Sequence, residues 1–119
     1  GVRYAEAPVG ALRWCAPQPA AAWTGVRDAL EFGPMAPQRP FDKNSFYGKE
    51  FYSDDRFLPP ADEDCLFLNI WAPKGLEKKA PVLMWIHGGA FDHGFGSEME
   101  FDGEAFARRG IVLVFGGSF

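Results

Sequence analysis

Apolar positions in this chain fall into two regimes. From residue 62 onward they gather into short dense runs. Leu66-Phe67-Leu68-Asn69-Ile70-Trp71 is closed by Ala72-Pro73 and predicts a strand. A polar turn, Lys74-Gly75-Leu76-Glu77-Lys78-Lys79, follows it. Pro81 then opens Val82-Leu83-Met84-Trp85-Ile86. Continuous rather than alternating apolarity predicts burial on both faces, as in a parallel sheet. Asp102 is placed to cap a short helix over residues 103–109, with Gly110 just past its end. Arg108 and Arg109 fall in its last turn, where cations suit the helix dipole. Ile111-Val112-Leu113-Val114-Phe115 predicts another buried strand. Residues 81–115 thus read as strand, glycine loop, short helix and strand, one βαβ crossover. If its strands are parallel, the connection should be right-handed. Two such strands cannot cover their own apolar faces, so more sheet is expected around them.

Residues 1–61 have no such period. Pro8, Pro17, Pro19, Pro34, Pro37, Pro40, Pro59 and Pro60 interrupt them, and each biases its predecessor away from helix. The chain has 14 glycines and 10 prolines, well above the roughly 12% of average usage. Aromatic residues from Trp14 to Phe57 run through the same stretch. The expectation is a loop-rich segment that wraps a larger core and buries those rings against it.

Composition narrows the function classes. With 119 residues, 47% hydrophobic and 24% charged, the chain has a globular balance rather than a disordered one. Twelve basic and 16 acidic residues give a net charge of −4, and with no basic cluster nucleic-acid binding is not expected. Apolar runs such as Val82–Ile86 fall far short of the roughly 20 residues of a membrane helix. Cys15 and Cys65 allow one bridge or two buried thiols.

The chemistry concentrates at His87-Gly88-Gly89-Ala90-Phe91, directly after a predicted strand. Open α/β sheets bind ligands at the carboxyl ends of their strands. Glycine admits positive φ and close approach of main-chain N–H groups. Successive N–H groups facing one point stabilise a developing oxyanion. A His-Gly-Gly-Gly loop builds that oxyanion hole in lipases and esterases, and this loop is similar to it.

Other segments carry a wider resemblance. Gly1-Val2-Arg3-Tyr4-Ala5 through Pro8-Val9-Gly10, Leu12-Arg13-Trp14 with Pro17-Gln18-Pro19, and Trp23 to Asp28 with Phe32-Gly33-Pro34 come in order. Glu63-Asp64-Cys65-Leu66-Phe67-Leu68-Asn69-Ile70 and Trp85 to Phe91 complete the series. Together they resemble the N-terminal part of the type B carboxylesterase (cholinesterase-like) family. The resemblance implies an α/β-hydrolase fold, and residues 1–119 are expected to be part of one such domain, truncated at both ends. It implies hydrolysis of small-molecule esters by a Ser–acid–His triad lying beyond Phe119, with no cofactor. It implies oxyanion donors at the backbone N–H groups of Gly89 and Ala90, a turn shaped by Gly88, and an architectural role for His87. Phe91 is expected either to line the substrate pocket or to be plain core. The family also includes inactive members used for binding or adhesion, which is the alternative reading.

The chain departs from the family pattern in places. The usual disulfide partner of Cys65 is replaced by Ala36, which tilts the expected localisation towards cytoplasm. The last strand runs into Phe115-Gly116-Gly117-Ser118-Phe119 instead of the family's continuation. Gly-Gly-Ser there invites a nucleophile-elbow reading, but no helix follows, so a chance loop is expected. His87 and His93 share one loop, and a metal needs three or four converging ligands, so no metal is expected. Glu63 and Asp64 are expected to tie their loop to the core, Arg13 being a candidate partner.

Overall fold

The computed structural model describes residues 1–116; the Gly-Ser end at 117–119 lies outside the described residues. Four strands form one mixed sheet: β1 (Val2–Arg3), β2 (Phe67–Trp71), β3 (Val82–Ile86) and β4 (Val112–Gly116), in the order β1-β2-β4-β3. β3 and β4 run parallel, as the crossover reading requires. β2 lies antiparallel to β4 on its other side, and β1 antiparallel to β2. The strands at 67–71 and 82–86 fall where the apolar runs place them, and the last is displaced by one residue. β1 has no period of its own in the sequence. It forms because Val2 and Arg3 pair with Leu68 and Phe67.

The crossover helix α2 spans Glu104–Arg108. Asp102 Oδ1 accepts from Glu104 N at 3.0 Å, so it serves the helix start from one residue further out than an N-cap. At the other end Gly110 N donates to Ala107 O and Ile111 N to Phe106 O. That pair of bonds is a Schellman closure, and it turns the chain directly into β4.

The two runs of equal apolarity meet different surroundings. β4 sits between two strands, and its Leu113 and Phe115 are 3% and 0% exposed. β3 is the edge of the described sheet, and its five residues are 39–77% exposed. Burial of β3 on both faces is therefore not observed. Its pairing with β4 satisfies one edge only, and on its faces Trp85 meets the Phe101 ring, with centroids 5.5 Å apart, while the strand stays largely exposed among the described residues.

The wrapping segment buries part of its aromatic load. Phe41 and Tyr52 pack on the fully buried Phe95, with ring centroids 5.5 and 5.8 Å away. Phe32 packs between Phe57 and Trp71. Trp14, Trp23, Phe46 and Tyr47 remain exposed, against expectation. Tyr47 and Phe46 belong to the short helix α1 (Phe46–Glu50), whose start is capped by Ser45 Oγ accepting from Gly48 N at 2.9 Å. So short a helix has no second layer to receive both rings.

The acidic segment is tied down by arginines. Asp64 takes a two-pronged bond from Arg3, both contacts at 2.5 Å, while the same guanidinium lies 4.6 Å from the Phe67 ring centre. Glu63 takes the same kind of bond from Arg13 at 2.6 Å, which draws its carboxyl below the ordinary range. The Arg13 pairing is as expected, whereas Arg3 is unanticipated. Behind them Cys65 is buried with Ala5 and Leu66, and Ala36 packs on that cluster. Cys15 is exposed and does not bond to Cys65, so only one of the two thiols is buried.

Candidate active site

The glycine loop leaves the carboxyl end of β3 and has two parts. Its tip turns sharply. Gly89, Ala90 and Phe91 have consecutive φ values of +119°, +54° and +60°. Asp92 N and His93 N both donate to Gly89 O, at 2.9 and 3.2 Å. That carbonyl is thereby turned into the loop. Neither Gly89 N nor Ala90 N donates to an acceptor among the described residues. A side chain on Gly89 would place its Cβ 1.7 Å from His93 O, so only glycine fits there. Gly88 has no positive φ and open space at its Cα; the turn is shaped at Gly89 and the two residues after it.

The root of the loop, residues 94–98, is buried throughout. It lies on the sheet face that carries Asn69, Phe115 and Trp85, which stand opposite one another across β2, β4 and β3. Asn69 Nδ2 donates to Gly96 O at 2.6 Å. Ser97 Oγ donates to Phe57 O at 3.0 Å, joining the root to the wrapping segment. His87 stacks on Phe115 with 9° between ring planes. Its Nδ1 lies 2.7 Å from Gly88 O; a carbonyl only accepts, so Nδ1 carries the proton. His93 turns instead toward Asp92, 3.6 Å away. The two histidine rings therefore have different partners.

Gly88 and Gly89 form one wall of a cleft of about 430 Å³. Phe41, Tyr47, Tyr52 and Phe101 supply rings to the other walls, and Glu98 lies among them. Burial pushes the Glu98 carboxyl up to about 7, with Glu100 adding to the shift and the bond from Phe95 N at 3.0 Å opposing it. Burial also raises the Tyr52 hydroxyl to about 12, helped by the negative Glu98 and Glu100. At the cleft mouth Arg39 donates to Asp92 at 2.8 Å and holds its carboxyl below the ordinary range. Phe91 is exposed among the described residues.

The structure thus brings His87, Gly88, Gly89 and Ala90 together at one strand end. Sequence reading missed the cleft's other walls. No spacing relates Phe41 or Tyr52 to the loop. Glu98 had a weak signal, an acid among the small and apolar residues 94–97.

An α/β sheet with a glycine loop at the carboxyl end of a strand, opening on a cleft, defines the ligand-binding end of an α/β enzyme domain. The carboxylesterase family model matches residues 1–115, and the chain belongs to that family. It is 48% identical to phenmedipham hydrolase of Pseudarthrobacter oxydans, over 95% of this chain and 22% of that protein. It is 44% identical to para-nitrobenzyl esterase of Bacillus subtilis (strain 168), over 96% and 22% of the two chains. Among solved structures, a PNB esterase superposes with a TM-score of 0.81 at 38% identity, covering 98% of this chain and 23% of the other. A carboxylesterase of Geobacillus stearothermophilus gives 0.76 at 44% identity, with 98% and 21% covered. The sheet is accordingly the N-terminal part of an α/β-hydrolase fold, and the chain spans about a fifth of the length of these relatives. No helix among the described residues is long and apolar enough to cross a membrane.

Proposed function

We propose that the protein hydrolyses carboxylic esters of small molecules, and that this chain supplies the oxyanion loop. The observation that carries the reading is the pair of consecutive N–H groups, Gly89 and Ala90, that meet no acceptor among the described residues beside the cleft. In the reaction a serine Oγ attacks the ester carbonyl carbon while a histidine takes its proton. The carbonyl oxygen becomes an oxyanion and accepts from the two N–H groups. The alcohol leaves with the histidine's proton. Water then attacks the acyl-enzyme, releasing the acid and restoring the serine. Serine, acid and histidine belong to the protein beyond Phe119 in this reading. His87, fixed on Phe115, supports the loop rather than acting as base, and Phe91 offers its exposed ring to the substrate. Alanine at position 36, beside Cys65, supports a reducing, cytoplasmic setting.

The test is made on the full-length protein with p-nitrophenyl acetate. Ala90→Pro would remove an N–H, but at φ +54° proline cannot adopt the native backbone. Replacing Ala90 by its α-hydroxy analogue exchanges only that N–H for oxygen. The expected result is a kcat lower by about 10²–10³, with KM little changed. An unchanged kcat would remove the assignment.

A further inference from the structure

Side chains of the wrapping segment hold the glycine loop from outside. Gln38, half-buried in the wrapping segment, faces Gly94 at the junction of tip and root. Its Nε2 donates to Gly94 O at 3.2 Å, and its Oε1 accepts from Gly94 N at 2.9 Å. The carboxamide therefore pairs with both backbone polar groups of one residue, as a neighbouring strand would. Its Nε2 also donates to Ala36 O at 3.2 Å, which fixes the amide plane in its own segment. Gly94 in turn backs onto the tip. A Cβ there would lie 2.7 Å from Gly88 O and 2.5 Å from His87 Nδ1. A displacement of Gly94 would thus be passed to the Gly88 carbonyl and to the peptide that carries Gly89 N. The next residue, Arg39, holds Asp92 on the tip's other side.

We propose that Gln38 is a positioning residue for the oxyanion loop: its two-bond bridge to Gly94 holds the Gly89 and Ala90 N–H groups in line with the carbonyl under attack. The inference rests on the reading of those groups as oxyanion donors. A carboxamide offers a donor and an acceptor side by side in this geometry at every pH. Glutamate of the same shape keeps the bond from Gly94 N, but when ionised it turns a lone pair on Gly94 O. Protonated, it donates to that oxygen and restores the bridge. Leucine removes this partner from both backbone groups of the buried Gly94.

The experiment compares full-length wild type, Gln38→Leu and Gln38→Glu with p-nitrophenyl acetate between pH 5 and 8. Gln38→Leu should lower kcat about 10- to 100-fold with KM within about twofold, the scale of a small misplacement of catalytic groups. Gln38→Glu should be similarly impaired at pH 8, and its activity relative to wild type at each pH should recover toward pH 5. Dividing by wild type at each pH removes the enzyme's own titration. If Gln38→Leu does not fold, the pH course of Gln38→Glu decides. A thermal midpoint that drops while the Gln38→Glu ratio stays flat and near one overturns the inference and leaves ester hydrolysis standing. A wild type that hydrolyses no ester overturns both.

Discussion

The tip and the root of the glycine loop are adjacent in sequence and opposite in physical character. The tip at 88–93 is largely exposed, holds three successive positive φ values, and leaves two N–H groups without protein acceptors among the described residues. The root at 94–98 is buried and bonded to β2 through Asn69 and to the wrapping segment through Ser97. Strained, unsatisfied backbone persists only where its surroundings over-determine it. Here the root and Gln38 supply that determination, and the tip supplies the chemistry proposed for it.

The comparison breaks most sharply at the hinge of the tip. Gly89→Ala puts a methyl group where the His93 carbonyl already is. The turn must open, and both donors move with it. In the full-length protein this should lower kcat by about 10³, the upper end of what losing one oxyanion donor costs. The sheet beneath should keep its far-ultraviolet circular dichroism. Activity within tenfold of wild type would show that the tip's shape is not what positions the donors.

How far this contrast is legible in sequence depends on the range of the forces involved. The strands at 67–71, 82–86 and 112–116 announce themselves through dense apolar runs, because burial is written locally. The glycine pair marks the turn for the same reason, although its conformational demand falls on Gly89 and not on Gly88. Exposure is less legible. β3 and β4 have equal apolarity, yet β4 has strands on both sides and β3 has one. Pattern records what a strand is built to bury, while neighbours decide what is buried among the residues described. Pairings across long separations are not legible at all. Gln38 reaches Gly94 over 56 positions and Arg3 reaches Asp64 over 61. Arg13 could be named only as a candidate partner for the acidic segment, because opposite charge alone does not choose between Arg3 and Arg13.

The root should respond to pH through Glu98. Glu98 is buried, and its carboxyl lies near 7 in the folded protein, well above the ordinary 4.5. The groups facing it are Glu100, Tyr52 and the Phe95 N–H. A carboxyl raised on folding binds protons more tightly in the native state. Its stabilising contribution is full below about 4.5 and is lost as pH rises through about 7. Glu98→Gln keeps an oxygen to accept from Phe95 N and cannot ionise. The wild-type thermal midpoint should therefore fall relative to the variant between pH 5 and 8, with the variant the more stable at pH 8. Parallel curves across that range would mean that Glu98 stays charged in the root without penalty.

The smallest effect tests whether the tip needs its one unstrained substitute. Ala90 holds φ +54°, where a residue with a Cβ loses roughly 1–2 kcal/mol relative to the right-handed region. Glycine meets no such cost, but it gains about 0.4–1 kcal/mol of unfolded-chain freedom that folding must remove. The two nearly cancel, so Ala90→Gly should move the thermal midpoint by only a few degrees, upward if at all. The N–H at position 90 is retained, so kcat should stay within about twofold. If the variant instead lost tenfold or more, the methyl group would be what fixes the donor's direction. Positioning would then belong partly to the tip itself, and the division between a shaped tip and a supporting root would have to be redrawn at residue 90.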